Sequence, residues 1–340
     1  MTLHESTGRL GRSTAALLAI LLLLLLLGFV PEAGASSRFT SLAITAAINV
    51  VVLYGLSILF GQTGILSLGH AALVGVGAYT AAVLARDFGI GFWGALPVAA
   101  ILAALLAVVV GFPSLRVSGH HFVILTFALG QLFTIFLTNG GAVTGGATGL
   151  DLQLPTSLFG LPLDPLPAFY RTALVFVALS AVASWAVTNS RYGRTLRAVR
   201  ENEKLAASLG ISVGRQKIGA FAVSGLFAGV SGVLMAYFLR HIAPNQFASF
   251  PSIYLALMLM IGGARLLFGP LAGGILVSFL PEIFSLDPVE SRILYGVCLI
   301  AVILLLPQGI VGGVAELWQR LTATRQPEPA AVAPHTVSEA

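Results

Sequence analysis

Apolar runs of about 15 to 20 residues recur along this chain, separated by short polar or glycine-rich intervals. At 1.5 Å of rise per residue, such runs are long enough to cross a hydrocarbon core of roughly 30 Å as helices. The pattern predicts about ten membrane segments: Ala15–Val30, Ser41–Phe60, Ala71–Ala85, Phe92–Phe112, Phe122–Thr138, Thr172–Thr188, Ile218–Phe238, Ser252–Gly262, Gly269–Pro281 and Ile293–Leu306. The expected fold class is all-α, a polytopic transmembrane helical bundle. Its organisation reads as a polar N-terminal tail (1–12), a membrane domain (13–317) and a polar, proline-bearing tail (318–340) expected to be disordered. The first apolar run also has the layout of a secretory signal, with Arg9 and Arg12 before it and Ala33-Gly34-Ala35 after it. An uncleaved first span is the preferred reading.

Composition supports a membrane class: 57% of the 340 residues are hydrophobic and only 9% charged, with a mean hydropathy of +0.96. The net charge of +5 would suit a nucleic-acid partner if its basic residues were interleaved with aromatics. Instead they lie beside the apolar runs, where they set orientation. With the N-terminus inside, 13 of the 18 Lys and Arg residues fall in inside loops, which predicts that both termini and the segment 190–217 are cytoplasmic. The glycine- and proline-rich loop 139–171, carrying Asp151 and Asp164, is then extracytoplasmic. Contact with something outside and a merely ordered connector fit it equally. Cys298 is the single cysteine, so this chain by itself forms neither a disulfide nor a cysteine metal site.

One stretch interrupts the apolar pattern with dense charge: RYGRTLRAVRENEKLAASLGISVGRQK, residues 191–217. Leu196, Val199 and the Leu205/Ala206 pair recur at helical spacing while Arg197, Arg200, Glu201 and Lys204 fill the other positions, predicting one amphipathic helix that Gly210 terminates. Arg197, Glu201 and Lys204 are spaced to pair along it.

Two further stretches break the membrane pattern without an ordinary charged loop. Gly61-Gln62-Thr63-Gly64-Ile65-Leu66-Ser67-Leu68-Gly69-His70 reads either as a discontinuous helix exposing backbone to a pathway or as a tight turn before close small-residue packing. The second, Gly262 to Pro270, includes Gly262, Gly263 and Arg265; paired interruptions in two halves of a chain point to a substrate region between them. Arg265 is expected to snorkel to the inner interface.

Catalytic chemistry finds no support in the sequence. His70, His120, His121 and His241 have no metal-ligand spacing and read as packing or interface residues, Ser67 and Ser224 have no evident triad partners, and no phosphate-binding loop is present. An ion-coupled secondary transporter, the rival class, would be expected to place an acidic residue within a span, and the assigned spans have none at mid-depth.

Several blocks resemble one family. GQTGILSLGHAALVGVGAYTAAVL (61–84), SGHHFVILTFALGQ (118–131), TGGATGL (144–150), GRTLRAVRENEKLAASLGISVGRQKIGAFAVSGLFAGVSGVLMA (193–236), SIYLALMLMIGGARLLFGPLAGG (252–274) and YGVCLIAVILLLPQGIVG (295–312) occur in order and are similar to the permease subunits of branched-chain amino-acid ABC importers, closer to the LivM type than to the LivH type. The resemblance implies an ABC importer permease fold in the bacterial inner membrane. Its implied partners are a second homologous permease, two cytoplasmic ATPases and a periplasmic substrate-binding protein, with ATP and Mg held by the ATPases and no cofactor on this chain. It further implies that Arg197, Arg200, Glu201, Ala206 and Gly210 belong to a helix coupled to an ATPase. Gly61, Gln62, Gly64, Ser67, Gly69, His70, Gln131, Gly262 and Gly263 are the candidate pathway residues. Gln131 stands where the family pattern has Glu, Ala264-Arg265 replaces a glycine-containing pair, and Glu203 is displaced from the coupling pattern. These departures leave urea, or another small amide or acid, as an alternative cargo.

Overall fold

In the computed structural model, residues 3–29, 36–114, 120–152, 157–158, 161–162, 166–284, 290, 293–297, 300–301 and 309–313 are described. Cys298, Arg116, Asp164, the Ala33-Gly34-Ala35 site, the tail 318–340 and half of the last expected span lie outside them.

The helices are α1 (Leu3–Leu27), α2 (Ser37–Leu56), α3 (His70–Phe88), α4 (Phe92–Ser114), α5 (His120–Asn139), the single turn α6 (Gly141–Thr144), α7 (Leu166–Asn189), α8 (Arg191–Glu201), α9 (Glu203–Ser208), α10 (Val213–Leu239), α11 (Ser249–Gly262) and α12 (Gly269–Ile283). Six are long and apolar enough to cross a membrane, and three shorter apolar helices, Ser13–Leu27, Ser249–Gly262 and Gly269–Ile283, pack with them. This is the expected multi-pass bundle. Helix ends lie beyond the apolar runs because caps, not hydropathy, stop them: α2 starts after Ser36, whose side chain accepts from the Phe39 N–H, and α3 ends at Gly89 in the left-handed region. Helix α1 begins at Leu3, inside the stretch read as a polar tail.

Among the described residues, four two-residue strands lie in the connections of this all-α fold. β1 (Leu150–Asp151) pairs antiparallel with β4 (His241–Ile242), and β2 (Ser157–Leu158) with β3 (Leu161–Pro162). The first pair ties the long 139–171 loop to the end of α10, and there His241 Nδ1 lies 2.6 Å from Asp151 Oδ1. The described part of this loop is thus anchored to the body.

Helix α10 is the central mast, packed chiefly on α4, α3 and α2. Water-free spans gain little from apolar association with one another, since lipid is equally apolar, so close backbone approach supplies the packing. A Cβ at Gly232 would collide with the Val74 carbonyl, and one at Gly77 with Gly229 on the facing helix. Ser231 Oγ also donates across to the Ile48 carbonyl at 2.9 Å, joining α10 to α2.

Substituting Gly232→Val should lower the thermal unfolding temperature in detergent by several degrees, since overpacking at such a contact costs about 1–3 kcal/mol. Gly91→Ala, at a position with nothing within 4 Å of a new Cβ, should leave that temperature unchanged.

Candidate functional site

The π-helical turn Ser57–Gly61 ends the second span, and after Thr63 the chain leaves helical geometry until His70. Gly64 takes φ +78°, which a side-chain-bearing residue rarely adopts. Such a break releases backbone groups at membrane depth, where each unpaired one costs several kcal/mol. Hydroxyls from neighbouring helices and from the break itself receive them. Thr126 Oγ1 of α5 accepts from Leu68 N–H at 3.1 Å, Ser252 Oγ of α11 accepts from Ala71 N–H at 2.9 Å, and Ser67 Oγ accepts from Gly69 N–H at 3.3 Å. His70 is fully buried, its Nε2 2.7 Å from Ser224 Oγ of α10.

The carbonyls on the other side of the break are taken by the charged segment. Arg200 Nη1 donates to the Gly61 carbonyl and, at 3.5 Å, to that of Phe60. Arg197 Nη1 donates to Gln62 Oε1 at 3.1 Å and to the Thr188 carbonyl at 2.9 Å. A guanidinium at a helix C-terminus meets both orphan carbonyls and the negative end of the dipole. Burial, and then the neighbouring Arg265 guanidinium, hold the Arg200 pKa below its ordinary value.

The second break joins the same place. Gly263 (φ +103°) opens a turn in which Leu266 N–H donates to the Gly263 carbonyl at 3.3 Å. A Cβ on Gly61 would strike the Ala264 carbonyl. Two stretches about two hundred residues apart therefore touch, with Arg265 exposed beside them. Gly262 and Gly263 are buried against the start of α12 and the backbone near Gly309, and a Cβ at Gly262 would strike the Gly269 carbonyl.

The charged segment departs from a single helix. Asn202 adopts an extended conformation (φ −156°, ψ 103°) and caps α9 by accepting from Leu205 N–H at 3.0 Å, since a short amide side chain competes with helix continuation. The expected i, i+4 pairing gives way as well. Arg197 reaches Thr188 and Gln62, while Lys217 Nζ lies 2.6 Å from Glu203 Oε1. Gly210 closes α9 with φ +82° and a Schellman pair, Ile211 N–H to the Ala206 carbonyl and Gly210 N–H to that of Ala207. Leu196, Val199 and Ala206 are buried inward, whereas Glu201 is exposed and Leu205 and Leu209 are 58% and 73% exposed.

Beside the first break an open cavity of about 570 Å³ lies between α3, α4 and α5. Ser67, Gly69 and Thr126 form its small polar corner, and Leu106, Phe133 and Phe221 are typical of the rest.

The family described as branched-chain amino acid transport system / permease component matches residues 38–305. This chain belongs to that permease family. It is 30% identical over 293 residues to the high-affinity branched-chain amino acid transport system permease protein LivM of Escherichia coli K12, covering 79% of this chain and 69% of that protein. It is 25% identical over 295 residues to a probable branched-chain amino acid transport permease protein LivH of Methanocaldococcus jannaschii (81% and 92%). It is also 27% identical over 278 residues to the autoinducer 2 import system permease protein LsrC of Yersinia pseudotuberculosis YPIII (79% and 75%). No solved structure gives a significant match.

Within this permease the candidate residues separate into groups. Gly61, Gln62, Gly64, Gly262 and Gly263 meet Arg197 and Arg200 or adjoin that junction; Ser67 and Gly69 line the cavity; His70 lies behind it against α10. Gln131 is exposed on α5 and does not line the cavity. Arg200 is partly buried against its own chain and Arg197 hydrogen-bonds to it while remaining exposed, so the outward surface of the charged segment includes Arg191, Arg194, Arg197, Glu201 and most of α9. Thr126, Ser224 and Ser252 were not singled out as parts of the break; a hydroxyl in a span is a weak signal, because most bond to their own helix.

Removing the guanidinium while keeping the stem, Arg200→Met, should take the donor from the Gly61 carbonyl at a cost of about 1–3 kcal/mol, while the Phe60 carbonyl keeps the Gly64 N–H at 3.0 Å. Amides 61–69 should then exchange hydrogen roughly tenfold faster or more, whereas Arg194→Met, at an exposed position reaching the Asn189 carbonyl, should leave them unchanged.

Proposed function

We propose that this chain is a LivM-type inner-membrane permease subunit of an ATP-driven importer for branched-chain amino acids, forming the translocation pathway together with a second homologous permease. The observation that carries the reading is the clasp of Arg197 and Arg200 on the first chain break. A load applied to α8–α9 reaches Gly61 and Gln62 through hydrogen bonds a single side chain long. In the proposed scheme the cytoplasmic ATPases, which hold ATP and Mg, seat α9 in a groove; Leu205 and Leu209, one turn apart and exposed, supply the apolar anchors, and Glu201 and Lys204 set register. Both termini then lie in the cytoplasm, and the 139–171 loop faces a periplasmic binding protein.

The apolar cavity beside Ser67, Gly69 and Thr126 suits an aliphatic side chain. Its few polar groups suit passage, because a tight membrane site would slow release. Substrate choice then rests mainly with the binding protein. Reconstitution with the second permease, the ATPases and the binding protein should give ATP-dependent uptake of leucine, isoleucine or valine in preference to urea and autoinducer 2. Preferred uptake of either of the latter would reassign the cargo, and uptake driven by an ion gradient without ATPases would remove the coupling scheme.

The double variant Leu205→Glu/Leu209→Glu should insert normally, because both side chains are already exposed, yet lose transport-coupled ATPase activity and uptake by about tenfold or more, as expected when apolar interface anchors worth over ~1 kcal/mol each are removed. Co-purification of the ATPases should fall in parallel.

A further inference from the structure

Away from the junction, an apolar cleft of about 250 Å³ lies between α1, α2, α7 and α12. Leu24, Ala43, Val50, Leu174, Leu271 and Phe279 are among its walls. Along α2 it extends from Phe39 to Val50, roughly 16 Å at the helical rise. That is the depth of one leaflet of a hydrocarbon core about 30 Å thick.

The two ends of the cleft differ as the two ends of a lipid do. At the mouth, the Phe39 and Phe279 rings sit 5.3 Å apart, the Tyr170 hydroxyl donates to the Leu27 carbonyl at 3.2 Å, and Arg38 Nε lies 2.6 Å from Glu282 Oε1. Arg38 remains 77% exposed there. Aromatic and cationic groups of this kind mark the interfacial level of a bilayer. The deep end, at Val50 and Leu271, offers only hydrocarbon.

Size selects among occupants. An apolar cavity of ~150 Å³ already takes a benzene-sized guest and stays free of water. Spread over the length of a leaflet, the volume here has the width of a single hydrocarbon chain and is several times too narrow for a helix of about 10–12 Å diameter. A second copy of the chain therefore does not fill it.

We propose that this cleft is a lipid site, holding one acyl chain of a phospholipid from the leaflet opposite the charged segment, with the phosphate at the level of Arg38. The inference is independent of the transported cargo and of the ATPase coupling.

The test uses the full-length protein in proteoliposomes containing a phospholipid with a photoactivatable diazirine in its acyl chain, followed by mapping of the labelled peptides. Labelling at 43–50 of α2 and 271–279 of α12 should exceed that at Ile101 of α4 and Ile135 of α5, which are exposed and line neither cavity, by several-fold. Ala43→Phe and Val50→Phe, which narrow the cleft at two depths, should each reduce the α2 and α12 labelling to the level of those outward faces. Equal labelling of cleft and outward faces in the wild-type protein would overturn the site, and so would labelling unchanged by both variants. Photocrosslinks to a second protein chain from a diazirine-bearing amino acid placed at Ala43 would overturn the choice of occupant.

Discussion

Backbone polar groups cannot be left unpaired in hydrocarbon, and the arrangement of this protein around residues 61–70 follows from that constraint. Opening a span there frees N–H groups on one side and carbonyls on the other. The N–H groups at Leu68 and Ala71 go to Thr126 and Ser252 on two different helices, and the Gly61 carbonyl goes to Arg200. None of these partners is local in sequence. The break can exist only when α5, α11 and the charged segment are assembled around it, so it reports on the position of all three.

The same bonds give the charged segment mechanical access to the interior. Tyr192 donates to the Gln216 carbonyl at 3.0 Å and Lys217 reaches Glu203, so α8, α9 and the base of α10 form one connected unit. From there α10 runs through the bundle, placing Ser224 against His70 and meeting α3 and α4 through glycine contacts too close to slip without separation. Packed helices with close backbone contact shift as units rather than deform smoothly. In the proposed transport scheme, a movement of α8–α9 is therefore felt at the break in two ways, through the guanidinium contacts and through α10.

The charge distribution is consistent with this division of labour. Basic side chains concentrate where orphan carbonyls and the proposed partner surface lie, and the cavity wall beside Ser67 and Thr126 is left almost wholly apolar. The clasp joins the second break through Gly61 against Ala264, with Arg265 close enough to oppose the Arg200 charge.

By itself the sequence determined the membrane class, the rough placement of the spans, the two glycine-rich interruptions, the charged segment and the family, because hydrophobic length, glycine runs and collinear motifs are local properties of the chain. Even Gly210 as a helix terminator is legible, since a left-handed position after a helix favours glycine. The tertiary structure alone decided that the two interruptions touch, that Arg197 and Arg200 bond to their own chain, and that hydroxyls on α5, α10 and α11 serve the break and its His70 edge. It also decided that Asn202 divides the charged segment, where helical periodicity runs through without interruption. The physical reason is one of range. Periodicity and capping depend on neighbours a few residues away, whereas pairing a freed carbonyl depends on which distant donor the assembled bundle brings within about 3 Å.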